Sequence, residues 1–182
     1  MKHRKLANSE LHRPEPEALS ALKRHPLIVV LDQVRSLNNV GSVFRTADAF
    51  LVEHIYLCGI TATPPHRDIQ KTALGATETV PWSHRNDTVA LVLELQAKGV
   101  RVWAVEQAEN AIWLSQYKGH PTEPQAFVFG NEVKGVDQAV IDVCDGVIEI
   151  PQEGAKHSLN IAVSAGVVLW EAFRQHKALM GQ

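Results

Sequence analysis

Three segments of this chain combine residue types able to bind a polar ligand or stabilise charge. The first is Asn38-Asn39-Val40-Gly41-Ser42-Val43-Phe44-Arg45-Thr46-Ala47. Arg45 falls in the second turn of a helix otherwise uncharged until Asp48. Its guanidinium fork suits a phosphate or a developing oxyanion. An asparagine at a helix start is also an ordinary N-cap, so Asn38 and Asn39 taken alone have a purely structural reading. The second segment is Phe129-Gly130-Asn131-Glu132-Val133-Lys134-Gly135. A glycine directly after an apolar strand lets a ligand approach the backbone closely, and Glu132 falls at the same edge. The pattern is neither a P-loop nor a dinucleotide fingerprint; alone it is a turn with an acidic helix start. The third runs from Ile150 and Pro151 through Lys156, His157, Ser158 and Leu159 to Asn160. Ser158 could cap the helix that follows. His157 and Ser158 are adjacent, so they are badly placed to act as base and nucleophile, and a hydrolase is set aside.

The elements that must position these loops follow from periodicity. Strands are predicted at Leu27 to Leu31, His54 to Gly59, Thr77 to Val80, Val100 to Val105, Ala126 to Phe129 and Val147 to Ile150. Helices are predicted at Asn39 to Phe50, Asp68 to Leu74, Asp87 to Ala97, Val136 to Val143 and Asn160 to Gln175. Val40, Phe44, Ala47 and Leu51 mark one apolar face; Val89, Val92, Leu93 and Gln96 mark another. The alternation predicts an α/β fold: a mostly parallel sheet with helices on both faces. In such sheets ligands bind beyond the carboxyl ends of the strands, where all three segments fall. The last helix is apolar over more than one face, which predicts a core position or a second subunit.

The 182 residues fit one domain. Residues 1–26 read as a basic arm or peripheral helix, and residues 27–182 as the folded unit. No apolar run is long enough to span a bilayer, and no signal peptide follows the basic start; a cytoplasmic protein is expected, with no membrane partner. Cys58 and Cys144 read as buried free thiols, and the scattered histidines give no metal site. A net charge of −2 argues against a generally basic nucleic-acid binder such as a DNA-binding protein. It leaves room for local RNA contact through Lys2, Arg4, Lys5, Arg67, Lys71 and Lys156.

Together, the three segments resemble the three motifs of the SpoU/TrmH branch of the SPOUT methyltransferases, over about Leu27 to Phe173. The stretch from Pro64-Pro65-His66-Arg67 to Lys71-Thr72-Ala73-Leu74-Gly75-Ala76 is also similar to that family. The resemblance implies a C-terminal half tied in a deep trefoil knot, against the general rule for chains. It implies a homodimer whose active site draws on both subunits, S-adenosylmethionine as cofactor, and methyl transfer to a ribose 2′-hydroxyl of tRNA or rRNA; tRNA is slightly favoured as a compact target for a domain this size. By motif, Asn39, Arg45, Glu132, Ser158 and Asn160 would be catalytic. Ala104, Val105, Gly130, Ile150, Pro151 and Leu159 would line the cofactor pocket. Val133 stands where many members have glycine. The rival expectation is a non-catalytic RNA-binding protein on the same scaffold. A nucleotide-binding enzyme is disfavoured, because neither GxGxxG nor GxxxxGK[ST] occurs.

Overall fold

A computed structural model describes residues 3–11, 19, 22–155 and 158–181. Its elements are β1 (His25–Asp32), α1 (Leu37–Ala49), β2 (Val52–Cys58), α2 (Arg67–Ala73), α3 (Ala76–Thr79), β3 (Trp82–Arg85), α4 (Thr88–Ala97), β4 (Arg101–Val105), β5 (Ile112–Trp113), β6 (Gln125–Phe129), α5 (Gln138–Ile141), β7 (Gly146–Glu149) and α6 (Ile161–Leu179). Among the described residues the seven strands form one sheet, in the order β3-β2-β1-β6-β4-β7-β5. Every pairing is parallel. Strand β6 therefore enters between β1 and β4, and β7 between β4 and β5, although both come later in the chain.

The pleat of β1 divides the core in two. Leu27, Val29 and Leu31 face one side, where α1 contributes Val40, Val43, Phe44 and Ala47, and α6 contributes Ala165, Val168, Leu169 and Ala172. Ile28 and Val30 face the other, against Leu91, Val92 and Leu95 of α4 and Val140 of α5. A parallel sheet covered on both faces explains why its strands read as unbroken apolar runs. Each fully buried Val or Leu contributes about 1.5–3 kcal/mol. Among the described residues no helix is long and apolar enough to cross a membrane.

Two sequence expectations are corrected. Thr77 to Val80 is not a strand: Ala76–Thr79 is a helical turn, and the strand starts after Pro81, at Trp82. The β-branched threonines suggest a strand, but Pro81 is tolerated at the entrance to this edge strand, not inside it. In α4 the buried face is Thr88, Leu91, Val92 and Leu95, whereas Leu93 is 51% exposed. Thr88 faces inward because its hydroxyl donates to the buried Asp32 carboxylate at 2.6 Å. Burial pushes the Asp32 carboxyl above its usual range.

Helix α6 is two-faced. Ile161, Ala165, Val168, Leu169 and Ala172 are buried, while Val163, Val167 and Trp170 stand exposed on another stripe. Phe50 packs beside Trp170, with ring centroids 5.9 Å apart.

Candidate functional site

The C-terminal ends of β4, β6 and β7 surround a cavity of about 490 Å³. Val105, Phe129, Ile150, Leu159 and Ile161 supply apolar walls, and Glu106, Glu132, Lys134 and Glu149 supply charge. The cavity stands where an open α/β sheet places its ligands.

Its central wall is the loop after β6, shaped by close backbone approach. Asn131 and Gly135 exchange backbone hydrogen bonds of 2.9 and 2.8 Å. A Cβ on Gly130 would collide with the backbone of Gly135 and Val136. Gly135 has φ +71° and lies against the Glu106 carboxylate, a conformation suited to glycine. Within the loop, the Asn131 amide oxygen accepts from Val133 N (2.9 Å) and Lys134 N (3.1 Å), while its Nδ2 donates to Gln33 O at 2.8 Å.

Two carboxylates tie this loop down from opposite ends. Glu106, just beyond β4, accepts from Val136 N at 2.9 Å and from Gln107 N at 2.8 Å. Glu132 reaches the start of α1, accepting from Arg35 N at 3.0 Å, Ser36 N at 2.9 Å and Asn39 Nδ2 at 3.1 Å. Partial burial acts to raise the Glu132 carboxyl. The N–H groups of Arg35, Ser36 and Glu132 itself, with the Asn39 amide, outweigh it and hold the group below the usual carboxylate range.

Asn39 links the first segment to the third. Its Oδ1 accepts from Asn160 Nδ2 at 3.1 Å. Asn160 Oδ1 accepts from Ala162 N at 2.9 Å and so caps α6. Caps fall elsewhere than the sequence suggests. Ser36 caps α1, accepting from Asn39 N at 3.3 Å, which leaves the Asn39 side chain for Glu132 and Asn160. Asn160, not Ser158, caps α6.

Asn39, Glu132 and Asn160 thus form one hydrogen-bonded chain, and Ser158 lines the cavity with Glu132 and Asn160. Arg45 stands apart. It is exposed on α1, outside the cavity lining, and its guanidinium makes no hydrogen bond or ion pair with the described residues. Of the expected cofactor residues, Val105, Gly130, Ile150 and Leu159 line the cavity. Ala104 does not: strand alternation turns it into the core on the opposite face, where it is fully buried. Pro151 is exposed and outside the lining. Arg67 and Lys71 are exposed on α2, as is Lys5 near the start. Arg4 pairs with Glu10 at 2.7 Å. Lys2 and Lys156 lie outside the described residues. Sequence reasoning misses Glu106 and Asn131, whose partners lie 30 and 98 residues away. A polar residue within two positions of the β4 or β6 terminus is the available signal.

The geometry has counterparts among known proteins. The model of the SpoU rRNA Methylase family matches residues 26–170. The 23S rRNA (guanosine-2′-O-)-methyltransferase RlmB of Ralstonia nicotianae is 32% identical over 166 residues, 90% of this chain and 64% of that one. The chain thus spans less than two thirds of that relative's length. The crystal structure of the A. aeolicus TrmH/SpoU tRNA modifying enzyme superposes with a TM-score of 0.80 at 28% identity, covering 91% of this chain and 82% of that one. An AdoMet-bound rRNA methyltransferase from Sinorhizobium meliloti superposes with a TM-score of 0.78 at 29% identity, covering 86% and 59%. With a match over residues 26–170, and with the second and third segments that its sequence singles out lining the cavity while Asn39 of the first is hydrogen-bonded to both, the chain belongs to the SpoU rRNA methylase family.

Proposed function

We propose that this chain transfers the methyl group of S-adenosylmethionine to a ribose 2′-hydroxyl of structured RNA. The observation that carries the reading is the Glu132–Asn39–Asn160 chain beside a cavity of small-molecule size. The residues present fit the cofactor. Apolar walls accept an adenine ring, and three carboxylates in the lining suit a ligand bearing sulfonium and ammonium charges. Val105, Phe129, Ile150 and Leu159 would hold it. When bound, the cofactor supplies an electrophilic methyl group.

The protein's task is then positioning and charge stabilisation. Glu132 fixes the loop after β6 against α1. Asn39 and Asn160 hold the facing ends of α1 and α6 in one register, and Ser158 offers a hydroxyl at the cavity wall. A ribose hydroxyl becomes a competent nucleophile as it loses its proton. A guanidinium offers donors and no acceptor, so the part of Arg45 is to stabilise the developing alkoxide and grip the adjacent phosphate, while phosphate or water takes the proton.

The exposed guanidinium outside its own cavity supports a homodimer in which Arg45 serves the partner subunit's site. The stripe of Val163, Val167 and Trp170 supports α6 as part of that contact. Arg67 and Lys71 on α2, with the basic arm, support RNA binding. Transfer RNA, a compact target for a domain this size, is proposed ahead of ribosomal RNA.

Incubation of total RNA with labelled cofactor, followed by mapping of the modified ribose, tests the reaction. A methylated 2′-oxygen in tRNA is the expected result. Absence of cofactor binding by calorimetry would leave an RNA-binding protein instead. In the same assay Arg45→Lys should lose at least about tenfold in turnover; full turnover would reject the role of the fork.

A further inference from the structure

We infer that Lys134 holds the α-carboxylate of the cofactor's amino-acid end, an assignment that rests on the cofactor reading above. The charge balance of the cavity leads there. Among the described lining residues the charged groups are Glu106, Glu132, Glu149 and Lys134. Glu106 and Glu132 are committed to backbone N–H groups of the chain itself. With Glu149 at the end of β7, three carboxylates line the cavity. Such a wall attracts the sulfonium and the ammonium and repels the single anionic group of the same molecule.

Lys134 is the one cation in that described lining. Its backbone N–H is fixed by Asn131 Oδ1 at 3.1 Å, so the base of the side chain is anchored. Its ammonium is exposed and has no hydrogen bond or ion pair with the described residues. An anchored base and an uncommitted tip describe a cation available to a ligand. The carboxylate therefore points to the loop after β6. The same field distinguishes the cofactor from its product: once the methyl group has left, sulfur is neutral and one attraction is gone.

The test is isothermal calorimetry on the full chain with S-adenosylmethionine and with 5′-methylthioadenosine, which keeps the nucleoside and lacks the amino-acid end. Lys134→Ala should weaken S-adenosylmethionine binding about five- to tenfold, the size of one partly exposed charge-assisted hydrogen bond. Lys134→Glu should weaken it further, and Lys134→Arg should retain it. Methylthioadenosine affinity should change by less than about twofold in all three, because that ligand has no carboxylate for the ammonium to hold. Unchanged cofactor affinity in Lys134→Ala overturns the assignment. So does an equal weakening for both ligands, which would show a deformed loop, or an effect confined to RNA affinity. Failure of the unaltered chain to bind S-adenosylmethionine would instead remove the cofactor reading itself.

Discussion

Replacing Glu132 by glutamine changes one atom and cuts the tie between the loop after β6 and α1. The carboxylate accepts three hydrogen bonds, from Arg35 N, Ser36 N and Asn39 Nδ2. A bond to a charged acceptor is worth about 1.5–3 kcal/mol when sheltered. Glu132 is exposed, so screening reduces each to about 0.5–1 kcal/mol. Glutamine keeps one acceptor oxygen but turns an NH2 group toward a cluster of donors, so the expected destabilisation is about 1–2 kcal/mol. For a domain of this size that lowers Tm by about 2–8 °C. The pH dependence is distinctive. Glu132 titrates lower in the folded chain than in the unfolded one, where a glutamate has a pKa of about 4.3. Its contribution is complete above that value and is lost as pH falls through the lower folded value. Thermal unfolding of Glu132→Gln and the parent should differ fully at pH 7 and converge as pH falls through the lowered folded value. Glu109→Gln, at an exposed site outside the cavity lining, serves as control. A gap that persists unchanged at low pH, or no gap at pH 7, would refute the argument that ionised Glu132 braces the loop.

Gly130→Ala forces a Cβ into the backbone of Gly135 and Val136; it should cost about 1–3 kcal/mol and abolish measurable cofactor binding, read by denaturant unfolding and calorimetry. Asn160→Asp keeps an oxygen to cap α6 but sets a second one against Asn39 Oδ1. Its Tm should stay close to the parent's while methyl transfer in a radiolabel assay falls at least about tenfold. Trp170→Glu places a charge in the exposed stripe of α6 and should yield monomers in analytical ultracentrifugation, with cofactor binding by each monomer retained in part.

Much of the sheet is legible in the sequence because its strands are buried on both faces, so short apolar runs such as Leu27 to Leu31 stand out from the helices between them. Local ambiguity hides the rest. Thr77 to Val80 carries β-prone residues yet forms a helical turn, and Ile112–Trp113 is too short to leave a pattern. At the site, the three loops can be found by their position after strands. The orientation of individual residues cannot. Ala104 and Val105 are neighbours, and the pleat sends only Val105 to the cavity. Ser36 takes the cap expected of an asparagine, which frees the Asn39 side chain for Glu132 and Asn160. Glu106 escapes notice because its partner, Val136 N, is reached only through the fold.

The insertion of β7 between β4 and β5 has a temporal consequence. During synthesis, Ile112–Trp113 is made more than thirty residues before the strand it pairs with, Gly146–Glu149. Until then the far margin of the sheet has nothing to dock on, and one wall of the pocket does not exist. Ligand capture therefore waits for β7 and the residues that follow it, and the dependence on such distant partners makes closure slow relative to a helical domain of equal size.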